Sequence, residues 1–196
     1  MEVLCTYVRN VAPIKPQQST RRSSPVPEHP EPDIQAILTV LGRRDRKYEK
    51  STEILDLSSA DLRGADLNGA YLNGSDLSRA YLAMADLSGA DLRGTNLRGA
   101  YLHGADLIGA DLRGAYFSGA DLRGTYLNGA DLNGADLRGA YLNGTSLNRA
   151  NLAMAYLIGA NLSNAKDLTQ EQIDEAYGDS TTKLPANLHM PESWKK

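Results

Sequence analysis

The sequence predicts an all-β solenoid, a chain wound into a coil with four short sides, and three observations predict it. A position at 57, 62, 67 and every fifth residue up to 162 repeats through 22 units without insertion or deletion, with leucine in 21 of them and Phe117 in the other. Alanine fills 17 of the 22 positions two residues before this centre, and glycine fills 16 of the 22 positions two residues after it. A period of five fits neither the helix of about 3.6 residues per turn nor the two-residue strand. A chain that keeps leucine on one side must therefore turn a corner every five residues and close a square in twenty.

Each element of the unit follows from that geometry. Residues two apart in an extended chain share a face, so the alanine points inward with the leucine and must be small to sit beside it in a narrow tube. The glycine stands at the corner, where the backbone needs permissive angles. The residues on either side of the leucine point to solvent.

Composition bounds the rest. At 196 residues the chain is one domain with flanking pieces. A net charge of −3 supports neither a nucleic-acid-binding face nor a strongly acidic surface. The single cysteine, Cys5, excludes an internal disulfide framework. No run reaches the ~18 apolar residues of a membrane span, and Glu2 with a short apolar patch before Arg9 makes a poor signal peptide. A soluble, cytoplasmic protein is the expectation.

Along the chain, Val3, Leu4, Tyr7, Val8 and Val11 have helical spacing. Six prolines between Ala12 and Pro32 then predict an extended linker. Asp33 reads as an N-cap, Ile34, Ile37, Leu38 and Leu41 as an apolar stripe, and Gly42 as a C-cap, before a basic connector at Arg43–Lys47. The expected segments are thus 1–32 (short helix and linker), 33–54 (short helix and connector), 55–165 (repeat) and 166–196 (capping helix and tail). In the last, Thr169-Gln-Glu-Gln172 has the form of a capping box, with Leu168 and Ile173 as its staple. Ile173, Ala176 and Tyr177 would form the apolar face of a helix ended by Gly178, a lid on the last coil. An extended tail would follow, with Trp194 tucked back on the rod.

Stacking the chain every twenty residues gives a surface map. Inside, Ser75 and Thr95 replace alanine in one column, and Thr125 and Thr145 in the column opposite. These hydroxyls are expected to bond each other or a backbone carbonyl. Outside, the position before the leucine holds 11 Asp, 7 Tyr, 3 Asn and 1 Ser. Asp66, Asp86 and Asp106 stack on one side; Asp91, Asp111 and Asp131 stack on another, with Arg93 and Arg113 placed to offset their repulsion. Tyr81 and Tyr101 are coil neighbours, and Tyr141 lies on the same side beyond Asp121. Tyr81, Tyr101, Tyr141, Asp91, Asp111, Asp131, Arg93 and Arg113 form the candidate partner surface. Two segments, Ser78–Ala85 and Asn148–Ala155, put Arg79, Met84, Arg149 and Met154 in place of the corner glycine. They lie 70 residues apart and read as an internal duplication.

The run A(D/N/Y)LxG repeated 22 times resembles the pentapeptide-repeat family over Leu55–Ala165. That resemblance implies a right-handed quadrilateral β-helix. With 22 units at four per coil it implies 5.5 coils, and a coil spacing of ~4.8 Å makes a rod of roughly 26 Å. The flanks Met1–Pro13, Asp33–Arg44 and Asp167–Trp194 resemble one subgroup whose longer members carry membrane-spanning helices ahead of the first motif. The chain begins where that region would end, which implies a truncated relative, a late start codon or a soluble version. Association with a membrane follows only from this resemblance.

No catalytic constellation emerges. His29, His103 and His189 are scattered and offer no metal spacing with Cys5. The aspartate period differs from that of known calcium loops, and the glycines belong to corners, not to a phosphate loop. No catalytic residue, cofactor or metal is expected. The leading expectation is a non-enzymatic interaction module presenting Asp, Arg and Tyr columns to a protein partner, with self-association by end-to-end or side packing open to it. The alternative is a DNA mimic acting on a type II topoisomerase, as in some proteins that the repeat resembles. Eight arginines among eleven aspartates of the repeat weaken the negative field that such mimicry needs.

Overall fold

The computed structural model describes Gln35, Leu38, Thr39 and residues 54–195. The expected first helix, the proline-rich linker and the basic connector lie outside the described residues. Of the helix expected after Asp33, the described Gln35, Leu38 and Thr39 are helical.

The five-residue unit folds as one tight turn after another. In mid-rod the amide of Ala115 donates back to the carbonyl of Leu112 at 3.0 Å, closing a turn over Arg113 and Gly114. All 22 corner residues have φ between 56 and 71°. That is the left-handed region a type II turn requires at its third residue, and it is the reason glycine dominates the position. Ser59, Arg79, Met84, Arg149, Met154 and Asn164 adopt the same angle without being glycine.

Between corners the chain pairs with itself one coil later. Leu112 N donates to Asp131 O at 2.8 Å, Gly114 N to Asn133 O at 3.0 Å, and Asp131 N to Ala110 O at 3.0 Å. Parallel bridges join residues twenty apart, from Asp56 with Asp76 to Ser146 with Lys166. Twenty residues are four units, so the tube has four sides. Side 1 carries Leu57 and every twentieth residue after it; sides 2, 3 and 4 start at Leu62, Leu67 and Leu72. Sides 1 and 3 are opposite, as are sides 2 and 4.

The interior is the leucine and alanine expected. Every central residue, Phe117 included, is at most 3% exposed, and each inward alanine from Ala60 to Ala160 at most 4%. Three of the four inward hydroxyls find carbonyls: Thr95 donates to Leu72 O at 2.8 Å, and Thr125 and Thr145 share Leu122 O at 2.8 and 2.7 Å. Ser75 departs from the expectation. Its Oγ is buried and has no hydrogen-bond partner among the described residues: Leu72 O accepts from Ser75 N and from Thr95 Oγ1 but not from the Ser75 hydroxyl, whereas the equivalent Leu122 O accepts from Thr125 N and from both threonine hydroxyls.

At each end of the repeat a glutamine side chain bonds the backbone of side 3. Gln35 donates from Nε2 to Asp66 O at 2.8 Å and accepts from Asp66 N at 2.9 Å, replacing a missing neighbouring strand on side 3. Leu38, also helical, is buried in the core. At the other end α1 spans Gln170–Asp174, with the expected capping box between Thr169 and Gln172. The same Gln172 amide donates to Leu147 O at 2.9 Å and Ala150 O at 2.7 Å. Leu168 and Ile173 are both buried.

The remainder of the tail differs from expectation. The helix ends at Asp174, with Glu175 as C-cap, because the chain leaves it to continue the ladder. Tyr177 pairs with Tyr156 and Lys183 with Asn161, offsets of 21 and 22 residues instead of 20. Tyr177 accordingly does not join Ile173 and Ala176 inside but stays 49% exposed. Gly178 serves a different purpose: a Cβ there would stand 2.6 Å from the Trp194 ring. Trp194 lies in a 3-10 turn, Glu192–Trp194. It is buried and donates from Nε1 to Ala176 O at 3.2 Å.

Candidate functional site

The eight candidate residues divide between opposite sides of the rod. Tyr81, Tyr101 and Tyr141 lie on side 2, where bridges link Tyr81 to Tyr101, Tyr101 to Asp121 and Asp121 to Tyr141. Asp91, Asp111 and Asp131, with Arg93 and Arg113, lie on side 4.

On side 4 the charges satisfy one another. The Arg93 guanidinium grips Asp91 through Nε at 2.8 Å and Nη2 at 2.6 Å, and Arg113 grips Asp111 at the same distances. Each arginine also reaches the next coil: Arg93 Nε lies 3.5 Å from Asp111 and Arg113 Nε 3.6 Å from Asp131. Asn151 donates to Asp131 at 2.9 Å. Hydrogen bonds from these guanidinium groups hold the Asp91 and Asp111 carboxyls below the usual carboxylate range. The column is a closed chain of ion pairs.

The physical rule is local. An aspartate before the leucine and an arginine after it are two residues apart on one flat side, so their forks meet. Arg123 binds Asp121 and Arg138 binds Asp136 in the same bidentate way, and Arg63 binds Asp61. The Asp121 and Asp136 carboxyls are held low for the same reason.

Side 2 is different. The Tyr81 and Tyr101 rings stack with centroids 4.5 Å apart and an interplanar angle of 23°. Burial, then the neighbouring Tyr101, pushes the Tyr81 phenol up. Tyr101 and Tyr141 stay 44% and 52% exposed. They flank a groove of about 470 Å³, with Arg79 at its lower end, the Gly99 and Gly119 corners along it, and the Asp121–Arg123 pair between the two rings.

Two features escaped the candidate set. Arg98 lies 4.3 Å over the Tyr116 ring and donates to the neutral Asn96. Asp66, Asp86 and Asp106 on side 3 have no arginine; each accepts the backbone amide two residues on, and the residues there are Asn68, Ser88 and Ile108. The signal for both was present in sequence as the absence of an Asp-x-Arg match. Among the described residues no group of three or more His, Cys, Asp or Glu could hold a metal ion, and no helix is long and apolar enough to cross a membrane.

The chain matches the family model for pentapeptide repeats, in eight copies over 56–94, 95–134 and 125–164. No curated protein matches it. Among solved structures it is similar to the pentapeptide repeat protein Rfr23 from the cyanobacterium Cyanothece 51142, at 30% identity and a TM-score of 0.44. That match covers 59% of this chain and 64% of Rfr23, so the chain spans less than two thirds of that relative's length. It is also similar to HetL from Nostoc sp. strain PCC 7120, described as involved in heterocyst differentiation regulation, at 27% identity, TM-score 0.27, and coverage of 70% and 86%. QnrB1, a plasmid-mediated fluoroquinolone resistance protein, matches at 23% identity, TM-score 0.33, and coverage of 64% and 77%. With its five-residue turns, its twenty-residue ladder and a family match over more than half of its length, the chain belongs to the pentapeptide-repeat family, whose fold is a right-handed β-helix.

Proposed function

We propose that the chain is a non-enzymatic interaction module, a rigid rod that meets a protein partner through the tyrosine column of side 2. One contrast carries the reading. On side 4 the Asp and Arg columns are spent on each other, whereas Tyr101 and Tyr141 on side 2 remain about half exposed on either side of a groove. Exposed, rigid aromatic side chains are the anchors that dominate protein interfaces. The stacked Tyr81–Tyr101 pair also loses little side-chain freedom on binding, because its geometry already exists in the free rod. Side 4 is the weaker half of the candidate surface: a partner there would have to displace ion pairs already made.

Mimicry of DNA receives less support from the charge pattern. Duplex DNA presents one negative charge per ~1.7 Å. Here five of the eleven repeat aspartates are gripped by their own arginines.

The test is chemical cross-linking of the full chain in its native cell, with Tyr81→Ala/Tyr101→Ala beside the parent. Loss of a specific cross-linked band in the double variant, with the melt of the rod retained, supports the reading. An unchanged band pattern sinks it.

A further inference from the structure

We infer that the groove on side 2, with the corner beside it, receives an extended acidic segment of a partner protein, whose carboxylates are recognised by Arg79 and Arg98. This rests on the interaction reading above and adds the partner's chemistry.

Of the eight arginines in the repeat, five are neutralised by the aspartate two residues before them. Arg79, Arg98 and Arg149 contact no carboxylate among the described residues. For Arg79 and Arg149 the cause is position. Each stands at a corner with φ of 57 and 56°, so its side chain leaves the flat side on which an Asp-x-Arg fork closes. For Arg98 the cause is composition: the residue two before it is Asn96, a neutral acceptor at 3.2 Å.

Two of these three arginines leave the rod from adjacent coils, Arg79 at the corner between sides 1 and 2 and Arg98 on side 1 over the Tyr116 ring. Arg79 N donates to Arg98 O at 2.9 Å across adjacent coils. A methyl built at Gly99 would touch Arg79 Cγ at 3.8 Å, so the Arg79 stem runs along the corner over the next coil and into the groove. Arg149 stands alone on the opposite corner. At this corner, among the described residues, two arginines that grip no carboxylate adjoin exposed tyrosine rings, Arg79 beside Tyr101 and Arg98 over Tyr116.

The corner offers a second kind of contact. The ladder uses the carbonyls of the other four positions of the unit, but Gly99 O and Gly119 O accept no bond among the described residues. They stand one coil apart along the groove and suit backbone amides of an extended segment. From Arg79 to Tyr141 is three coil steps, roughly 14 Å, or about four residues of extended chain.

Charge complementarity selects an acidic peptide over a nucleic acid. Two arginines without a bidentate carboxylate partner match two or three carboxylates. A phosphate backbone brings about one charge per 3.4 Å of each strand, toward a chain of net charge −3 whose side 3 carries three aspartates without arginine.

The test measures fluorescence anisotropy of labelled Glu-Tyr-Glu-Tyr-Glu-Tyr on the full chain, with the Lys-Tyr hexapeptide for comparison. The acidic peptide should bind at least about tenfold tighter than the lysine peptide, and weaken as salt rises from about 20 to 150 mM. Arg79→Glu/Arg98→Glu should lose about tenfold or more, while Arg149→Glu on the far corner binds as the parent does. The inference is overturned by no saturation below about 1 mM, by equal binding of the lysine peptide, or by equal loss in Arg149→Glu. Tighter binding of a ten-nucleotide oligo-dT would assign the patch to nucleic acid instead. A parent dimer in sedimentation that Arg79→Glu/Arg98→Glu dissolves would assign it to a second copy. If Tyr81→Ala/Tyr101→Ala abolishes the cellular cross-link and Arg79→Glu/Arg98→Glu does not, the interaction reading stands and the acidic partner falls.

Discussion

Replacing Ser75 by alanine is expected to stabilise the protein, although it removes a polar group from a position where three neighbours use theirs. Ser75 is 1% exposed and its hydroxyl has no partner among the described residues. Leu72 O, the acceptor at hand, takes Ser75 N at 3.0 Å and Thr95 Oγ1 at 2.8 Å and leaves the Ser75 hydroxyl out. A buried, unsatisfied hydroxyl costs roughly 1–3 kcal/mol. Alanine at the same inward position is tolerated 17 times in this rod, so no strain opposes the change and the lost van der Waals contact is one oxygen. The expected gain is about 1–2 kcal/mol, a rise in Tm of several degrees for a domain of this size. Urea unfolding monitored by circular dichroism measures it, with an unchanged m-value to show that the same surface unfolds. Thr145→Ala is the control: it removes a hydroxyl bonded to Leu122 O at 2.7 Å, and a methyl, and should cost about 1–2 kcal/mol. A loss of stability in Ser75→Ala comparable to that in Thr145→Ala would refute the reasoning, since it would mean that the Ser75 hydroxyl has a favourable interaction.

Three further outcomes follow from the same contacts. Leu112→Asp places a carboxylate in a fully buried, partnerless position in mid-rod and should abolish the cooperative melt, because its cost rivals the ~5–15 kcal/mol of a whole domain; a β-type melt near the parent temperature would contradict the inward assignment. Asp91, Asp111, Asp121 and Asp136 have carboxyls lowered in the folded state, chiefly by hydrogen bonds from arginine, so their contribution is complete above the unfolded value of about 3.9 and is lost as pH falls through the folded one. Urea midpoints should therefore fall below about pH 4, and Arg138→Ala should move the Asp136 titration, followed by carboxyl NMR, to higher pH. Gly178→Ala drives a methyl into the Trp194 ring at 2.6 Å and should cost about 1–3 kcal/mol, with a red shift in the emission of this single tryptophan as it leaves the end of the rod; unchanged emission would show that the tail repacks around the methyl.

The repeat was legible because one backbone environment recurs. A five-residue period admits a single way of keeping Leu inside, and the corner glycine reports a positive φ that the structure places at every unit. Legibility ended where that environment changes. The end of α1 could not be read from Gly178, because that glycine answers to Trp194, sixteen residues later, and not to the helix. Tyr177 looked inward at helical spacing but belongs to a ladder displaced by one residue. Ser75 looked like Thr95 in sequence, but of the two only the Thr95 hydroxyl reaches Leu72 O. For the candidate site, columns were readable to the residue, but whether a column is free or satisfied depends on side-chain forks that spacing suggests and only coordinates decide.

That last distinction locates function better than the columns do. Wherever the unit reads Asp-Leu-Arg the rod neutralises itself, so the most regular parts of the sequence are the least able to hold a charged partner. Uncompensated groups arise where the unit is broken: at Arg79, which replaces a corner glycine; at Asn96, which leaves Arg98 without a carboxylate; and at Ser88 and Ile108, which leave Asp86 and Asp106 without an arginine. The two Ser/Asn-Arg-Ala-x-Leu-Ala-Met-Ala segments read as the record of a duplication, yet 70 residues are three and a half coils, so the copies present their arginines on opposite corners. Only the first copy stands beside tyrosines stacked on side 2; the second has Asn151 where the first has Tyr81. The repeated segment thus places a cation with an aromatic neighbour on one corner and a cation without one on the other. The difference in binding between Arg79→Glu/Arg98→Glu and Arg149→Glu reads directly what that neighbour contributes.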